Sequence, residues 1–286
     1  MILIVDSGST KCDWIAVDKK GNQLLEKMRT KGLNPAILSE KKLKKIIKKN
    51  KDLEENSEEV SHVFFYGAGC GTRKPNALLK LVLQEIFINA NIYVREDTMA
   101  AVYATINHDK EAAVVCILGT GSNCSYYDGE NLQQRVKSLG YSIMDDASGN
   151  YYGRQLIRDY YFNHMPENIK IALADRYNLE EDFIKYNLYK QPNPNAYLAS
   201  FAEFMFLNKD SLYIKKLIKR GIKLFSNNMI MQYQEELKTV PVHFAGSIAF
   251  FSQEEIKEVA QELGFTVGNF QRRPIEGLVN YHISNL

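Results

Sequence analysis

Residues 2–11 read ILIVDSGSTK, and the predicted architecture of the chain follows from this segment. A buried apolar strand runs directly into a turn of small polar residues. Residues 112–122, AAVVCILGTGS, repeat this arrangement. Glycine lets a tight turn bring backbone N–H groups against an anion, and hydroxyl groups add further donors. Two such turns predict two hairpins that hold one polyphosphate, as an enzyme of nucleotide-dependent phosphoryl transfer requires.

The first turn also offers a carboxylate for a cation. Asp6 ends the buried strand, where it can hold a hydrated metal ion. Lys11 does not complete a Walker A loop, because glycine is missing at the G-x-x-x-x-G-K spacing. Taken alone, Gly8 and Ser9 fit an ordinary β-turn equally well. The second turn favours the phosphate-binding interpretation.

Composition indicates a globular protein with no nucleic-acid or membrane partner. The chain has 286 residues, of which 45% are hydrophobic and 24% charged, and this length suits two domains. Its net charge of +2 provides no strong field for a phosphate backbone. The basic residues 41–51 predict the solvated face of an amphipathic helix, because acidic residues follow them. A membrane contact through this face is the alternative.

The cysteines and the start of the chain predict a cytoplasmic protein. The four cysteines form no C-x-x-C pair, which argues against a disulfide framework and a zinc site; they are Cys12, Cys70, Cys116 and Cys124. The first apolar run is too short for a signal peptide. Because the first strand starts at Ile2, we also expect no DNA-binding domain before it.

The order of predicted elements indicates a duplicated α/β architecture. Three strands, the third over residues 23–28, precede alternating helices and strands, with a helix over residues 40–51. A second round begins with the strand at residues 112–118. We expect a boundary near residues 107–111, and hence domains at 1–108 and 109–286. The last helix, about residues 275–286, is a candidate to pack back on the first domain.

These motifs resemble the sugar-kinase, actin and heat-shock-chaperone ATPase superfamily, and within it the N-acetylglucosamine kinase group that shares a domain with activator ATPases of acyl-CoA dehydratases. The resemblance spans nearly the whole chain. It implies two ribonuclease H-like (actin-like ATPase) domains with an interdomain cleft, the second domain larger and helix-rich. The segments that carry it are residues 6–11, 66–69, 97–101, 119–124, 140–153, 246–249 and 274–278.

The resemblance implies how ATP and Mg²⁺ are held. Asp6 would orient Mg²⁺, commonly through water, and both hairpins would contact the phosphates. A third strand-to-glycine junction, Gly246-Ser247, would lie against adenine and ribose, although a plain turn also fits it. The phosphate- and nucleotide-binding positions implied in this way are Gly8, Ser9, Thr10, Lys11, Gly119, Thr120, Gly121, Gly246 and Ser247.

Asp97 is the implied catalytic base. It follows a short strand and opens an Ala-rich helix, and in resembling kinases this aspartate takes the proton of the sugar hydroxyl. A helix N-terminus tends to keep an aspartate ionised. The alternative is an aspartate that only caps the helix. Glu96 is the substitute if the register differs by one residue.

The implied sugar ligands are Asn34, Thr120, Asn123 and Asp145. Their side chains supply the several donors and acceptors that a polyol needs. Asn34 precedes Pro35 and fits a turn residue equally well. Residues 144–149 read Met-Asp-Asp-Ala-Ser-Gly where relatives read Gly-Asp-Glu-Gly-Ser-Gly. This departure predicts altered substrate specificity rather than lost function.

The resulting functional hypothesis is an ATP- and Mg²⁺-dependent amino-sugar kinase that phosphorylates the 6-hydroxyl of N-acetylglucosamine. Glucosamine and N-acetylmuramic acid are alternative substrates. A non-catalytic pseudokinase and an activator-type ATPase with a cysteine-bound iron–sulfur cluster are alternative classes, and the cysteine spacing argues against the latter. The expected partner is a small sugar, and a homodimer is expected from the frequency of such assemblies.

Overall fold

The computed structural model of the chain describes residues 1–8 and 11–285. It divides into two compact units, the first comprising Met1–Asp109 with Arg273–Leu286 and the second Lys110–Arg272. The last helix therefore belongs to the first unit. No helix among the described residues combines the length and apolar character that crossing a membrane requires.

The first unit is built on a five-stranded mixed sheet with the order β3-β2-β1-β4-β5. Strands β1 and β2 form an antiparallel hairpin, β3 continues it, and β4 and β5 add parallel strands beside β1. The strands are β1 (Ile2–Ser7), β2 (Lys11–Val17), β3 (Met28–Lys31), β4 (His62–Gly67) and β5 (Asn91–Glu96). The helices are α1 (Glu40–Lys48), α2 (Lys51–Glu55), α3 (Arg73–Ile86), α4 (Asp97–Thr105) and the last helix, α13 (Pro274–Ser284).

Two boundaries in this unit differ from the sequence prediction. The third strand lies at residues 28–31 instead of 23–28, because Asp13 of β2 pairs with Arg29 and draws that segment into register. The helix predicted over residues 40–51 is broken into α1 and α2. Asn50 caps α2 by accepting a hydrogen bond from the N–H of Leu53, which starts a new helix at this point.

The second unit repeats the same strand arrangement. Its sheet has the order β10-β9-β6-β7-β8, in which β6 and β7 form the hairpin, β8 extends it, and β9 and β10 are the parallel strands. This repeat confirms the predicted α/β duplication. The strands are β6 (Ala113–Leu118), β7 (Ser122–Tyr127), β8 (Leu132–Gln133), β9 (Val242–Ala245) and β10 (Val267–Gln271).

Helices fill most of the second unit, as predicted. Those between β8 and β9 surround an apolar core that includes Tyr152, Phe204 and Phe225. They are α5 (Gly149–Tyr161), α6 (Glu167–Arg176), α7 (Glu181–Tyr189), α8 (Pro194–Ser200), α9 (Ala202–Leu207) and α10 (Leu212–Asn228). Two further helices, α11 (Ser247–Phe251) and α12 (Gln253–Leu263), connect β9 to β10.

Candidate functional site

The first hairpin of the first unit presents Asp6 at the end of β1. In the antiparallel register Asp6 lies opposite Asp13. Ser7 anchors the hairpin, because its Oγ accepts a hydrogen bond of 2.9 Å from the N–H of Leu33. Gly8 is exposed at the turn, and Lys11 is exposed where β2 begins. Ser9 and Thr10, the predicted phosphate donors, lie outside the described residues.

Asp6 and Asp13 differ in how their charges are balanced. Burial, together with the carboxylates of Asp97 and Asp13, raises the pKa of Asp6 to about 6, against the opposing effect of Lys11 and Lys27. Burial also acts to raise the pKa of Asp13, but Arg29 at 2.7 Å and Lys27 at 3.0 Å lower it overall. Asp13 is therefore neutralised by its own cations, whereas Asp6 carries an electrostatic penalty that a bound cation would relieve.

Asp97 lies in the first turn of α4, directly after β5. The N-cap residue is Glu96, so Asp97 is inside the helix and does not occupy the capping position. Its Oδ1 accepts a hydrogen bond of 3.0 Å from the N–H of Thr98. Burial nevertheless raises the pKa of Asp97 above its usual range. The backbone donors at the helix N-terminus favour the ionised form, as expected, but desolvation outweighs them in setting the direction of the shift.

Glu96 shares this environment. Burial raises the pKa of its carboxyl group, and the neighbouring Asp97 adds to the effect. Two adjacent carboxylates with raised pKa values at the end of one strand are the kind of arrangement found at acid–base sites.

The carboxylates of this unit suit a hydrated Mg²⁺ better than a metal held only by protein atoms. Among residues 1–8 and 11–285, no group of three or more His, Cys, Asp or Glu side chains is arranged to hold a metal ion. Mg²⁺ usually keeps several water ligands and needs only one or two carboxylates together with substrate phosphates. The unbalanced charge of Asp6 fits that requirement.

Asn34 takes part in a turn of the first unit. Its Oδ1 accepts a hydrogen bond of 3.0 Å from the N–H of Ala36. The side chain lies against Gly69, where an added Cβ would be 2.1 Å from the same oxygen. Gly69 also has a φ of +81°, which favours glycine. The contact between Asn34 and Gly69 was not predicted from the sequence.

The second hairpin, in the second unit, is tied to the start of α5. The N–H of Gly149 donates to the carbonyl of Gly119 at 2.7 Å, and the N–H of Asn150 donates to the carbonyl of Thr120 at 3.1 Å. The side-chain amide of Asn150 donates to the same Thr120 oxygen at 2.6 Å. Asn150, which the sequence analysis missed, therefore fixes the turn that is expected to contact phosphate.

Asp145 joins this cluster. Asn150 Nδ2 donates to Asp145 Oδ2 at 3.2 Å, and an added Cβ on Gly121 would lie 2.7 Å from that oxygen. Asn123 has other partners, because its Oδ1 accepts from Ser125 and from Gln134. The structure thus brings together Thr120, Gly121 and Asp145. The carbonyl oxygen of the Asn123 amide, by contrast, is occupied by the hydrogen bonds from Ser125 and Gln134.

The loop that departs from the related pattern has an unusual backbone. Asp145 and Ala147 have φ values of +64° and +55°, a region that non-glycine residues rarely adopt. Ser148 holds the end of the loop by capping α5, since its Oγ accepts from the N–H of Tyr151 at 3.2 Å. Ala147 keeps the left-handed backbone at the position where the related pattern has glycine.

A cavity of about 630 Å³ in the second unit connects the second hairpin with the Gly246-Ser247 junction. Gly246 has a φ of +107°, and an added Cβ would lie 2.3 Å from the carbonyl oxygen of Leu118. Phe251 and Phe206 form apolar walls with ring centroids 5.2 Å apart, and the guanidinium of Arg272 lies 4.8 Å from the Phe251 ring centroid. These three wall residues were not identified from sequence.

Comparisons with known proteins agree with this architecture. Residues 5–258 match the model of the BadF/BadG/BcrA/BcrD ATPase family. The chain is similar to a solved protein of Porphyromonas gingivalis described as a "Putative N-acetylglucosamine Kinase", with 32% identity, a TM-score of 0.90, and coverage of 100% of this chain and 99% of that chain. No curated protein sequence matches the chain.

Two more distant structures show the fold alone. A "Putative N-acetylglucosamine Kinase" from Chromobacterium violaceum is 14% identical, with a TM-score of 0.66 and 98% coverage of each chain. A ROK family glucokinase from Streptomyces griseus, solved with glucose and AMPPNP, is 14% identical, with a TM-score of 0.56 and coverage of 98% of this chain and 97% of that chain. The predicted superfamily and the two-domain α/β fold are confirmed, and the chain belongs to the BadF/BadG/BcrA/BcrD ATPase family.

Proposed function

We propose that this protein is an ATP-dependent sugar kinase that phosphorylates the 6-hydroxyl of N-acetylglucosamine. The full-length similarity to a protein described as a "Putative N-acetylglucosamine Kinase" supports the reaction class. The observation that carries the proposal is the electrostatic coupling of Asp6 and Asp97, one carboxylate suited to a cation and the other to a hydroxyl proton. Phosphoryl transfer to an alcohol requires both functions.

In the proposed mechanism Asp97 accepts the proton of the sugar hydroxyl as the hydroxyl oxygen attacks the γ-phosphorus of ATP. The bond from that phosphorus to the β–γ bridging oxygen breaks, and ADP leaves with the bonding electron pair. The raised pKa of Asp97 favours this role, because a base becomes more effective as its pKa approaches the working pH. Glu96 is the substitute residue. Asp6 would hold Mg²⁺ through water, and the ion would supply positive charge near the transferred phosphoryl group.

We assign phosphate and nucleotide binding to the two hairpins and the third junction. Backbone N–H groups of glycine-rich turns suit phosphate oxygens. The cavity beside Ser247 has the apolar walls that a purine base requires. The proposed residues are Gly8, Ser9, Thr10 and Lys11 of the first hairpin, Gly119, Thr120 and Gly121 of the second, and Gly246 and Ser247.

For the sugar, we propose contacts with Asn34, Thr120, Asn123 and Asp145. Asp145 is the best supported of these, because Asn150 orients its carboxylate and leaves the other oxygen, Oδ1, for a hydroxyl group. Glucosamine and N-acetylmuramic acid are the alternative substrates. We also propose a cytoplasmic protein that acts on a small sugar, without nucleic acid or membrane, and forms a homodimer.

An activator-type ATPase is the second candidate, and the cysteines weigh against it. All four are free and buried. Burial raises the pKa of Cys70 to about 12 and also raises those of Cys12 and Cys116. Cluster ligation requires accessible thiolates, which buried thiols of this kind do not supply.

The experiment is coupled ADP release with ATP and Mg²⁺ in the presence of N-acetylglucosamine, glucosamine, N-acetylmuramic acid, glucose or no sugar. We expect ADP release that depends on N-acetylglucosamine, with the product identified as the 6-phosphate by NMR. Hydrolysis that is equal with and without sugar would support the activator ATPase. ATP binding without turnover would support a pseudokinase.

A further inference from the structure

A second cavity of the second unit, of about 400 Å³, lies beside Asp145. Ser122 of β7, next to the second hairpin, forms part of its rim. Asp145 and Asn123, the residue after Ser122, are among the proposed sugar contacts. A sugar bound to these two side chains would present a ring substituent to this cavity. The volume exceeds what an acetyl group fills.

One side of the cavity is apolar. Val136, Ile143, Met144 and Met229 contribute side chains to it. Met229 is buried, with 8% of its surface exposed, whereas Ile143 is 72% exposed. Burying methylene groups of a ligand against this apolar side favours binding. Methionine is flexible and adapts its shape to different apolar groups.

The charges of the cavity have one sign. Asp145 and Asp146 line it, and the lining residues that the structure describes include no Lys, Arg or His. The side-chain amide of Asn228 donates to Asp146 Oδ2 at 3.0 Å, which holds this carboxylate in place without neutralising it. A ligand carboxylate placed here would meet two like charges and no cation among these lining residues, and the nearby Arg135 is already paired with Glu236.

We propose that this cavity is an acyl subsite that accepts an uncharged N-acyl group longer than acetyl and rejects a substituent that ends in a carboxylate. The inference rests on the proposed sugar-kinase function and refines it. It selects neutral N-acylated amino sugars as the substrate class, over amino sugars whose N-acyl group ends in a carboxylate. Met144, where the related pattern has glycine, supplies part of the apolar wall.

A matched pair of sugars tests this subsite. N-butanoylglucosamine and N-succinylglucosamine have acyl chains of equal length and differ in the terminal carboxylate. We expect kcat/KM for the butanoyl sugar to lie within about threefold of that for N-acetylglucosamine, and kcat/KM for the succinyl sugar to be at least about tenfold lower, because of like-charge repulsion.

Two variants assign these effects to the cavity. Asp146→Asn should reduce the discrimination against the succinyl sugar, whereas Asp175→Asn, at an exposed position on α6, should not. Met144→Ser should lower kcat/KM for the butanoyl sugar relative to the acetyl sugar. Leu139→Ser, a change at an exposed apolar residue of the same loop outside the cavity lining, should leave that ratio unchanged.

The outcomes separate this inference from the proposed function. If no sugar supports ADP release, the sugar-kinase proposal itself fails. If N-acetylglucosamine is phosphorylated but the butanoyl sugar is more than tenfold poorer, or the succinyl sugar is equally good, the subsite is overturned and the kinase proposal stands. The same holds if Asp146→Asn and Met144→Ser behave like their controls.

Discussion

The side-chain amide of Asn150 joins Asp145 to the second hairpin, donating to Asp145 Oδ2 at 3.2 Å and to the carbonyl of Thr120 at 2.6 Å. Asn150 is buried, with 1% of its surface exposed. A single amide therefore sets the position of a proposed sugar ligand relative to a turn proposed to hold phosphate. This relationship makes Asn150 a positioning residue rather than a catalytic one.

Asn150→Ala should remove both side-chain hydrogen bonds, leaving the Thr120 carbonyl only the backbone N–H of residue 150 and the Asp145 carboxylate without its amide donor. We expect a loss of about 1–3 kcal/mol in the free energy of unfolding and a higher KM for the sugar, with a smaller change in kcat. Urea unfolding and steady-state kinetics measure the two effects. Asn187→Ala is the control, because Asn187 donates to a backbone carbonyl at an exposed site on α7. Equal KM values for the two variants would contradict the positioning role.

Gly246→Ala should be much more damaging than Gly264→Ala. Both glycines have positive φ values, +107° and +78°. At Gly264 the left-handed backbone costs an alanine about 1–2 kcal/mol, whereas the ψ of 161° at Gly246 places it in a region adopted almost only by glycine, with a cost of about 1–3 kcal/mol. Only at Gly246 would the new Cβ meet a backbone atom, the carbonyl oxygen of Leu118 at 2.3 Å. Thermal unfolding should show the larger loss for Gly246→Ala, and calorimetry should show weaker ATP binding. Similar stabilities of the two variants would refute the close approach.

Arg272→Ala should weaken ATP binding by about three- to tenfold, because the guanidinium packs on Phe251 at the wall of the proposed nucleotide cavity. Arg158 offers a matched control, since it lies over the ring of Phe162 at 5.3 Å and lines no part of that cavity. Isothermal titration calorimetry with ATP compares the two alanine variants. If both bind ATP like the parent protein, the cavity is not the nucleotide site.

Stability should fall as the pH decreases from about 6.5 to about 4, in part because of His282. Burial lowers the pKa of this histidine to about 4, while in the unfolded chain it titrates near 6.5. Between pH 4 and 6.5, His282 is protonated in the unfolded chain but not in the folded protein. The free energy of unfolding therefore decreases as the pH decreases. The histidine contributes at most about 3 kcal/mol to this loss.

The ring of His282 stacks on Phe64 with centroids 3.8 Å apart, and its Nε2 lies 2.7 Å from the hydroxyl oxygen of Tyr66. His282→Asn should therefore lower stability at pH 7 and flatten the pH dependence between 4 and 6.5. Urea titrations at several pH values test this, with the exposed His164→Asn as control. An unchanged slope in the His282 variant would exclude its role in acid sensitivity.

The sequence predicted the features that depend on local pattern. The two apolar strands with small polar turns, at residues 2–11 and 112–122, were enough to predict the paired hairpins and the duplicated α/β fold. Boundaries set by tertiary pairing were predicted less well. The third strand shifted because Arg29 pairs with Asp13, and the basic helix was split at Asn50.

Site residues that depend on distant contacts were missed for the same reason. Asn150 follows its partner Thr120 by thirty positions in the chain, and Phe206, Phe251 and Arg272 meet only through folding. The raised pKa of Asp97 could not be read from its place at a helix N-terminus, because desolvation depends on what the fold packs around it.

The most direct test of the proposed kinase is Asp97→Asn, measured by N-acetylglucosamine-dependent ADP release and by ATP binding on the same preparation. The substitution removes the proton acceptor and preserves the shape of the side chain. We predict a loss of at least about a hundredfold in kcat with nearly unchanged ATP affinity, while the exposed Asp175→Asn keeps full activity. An Asp97→Asn variant that phosphorylates the sugar at the parent rate would contradict the account.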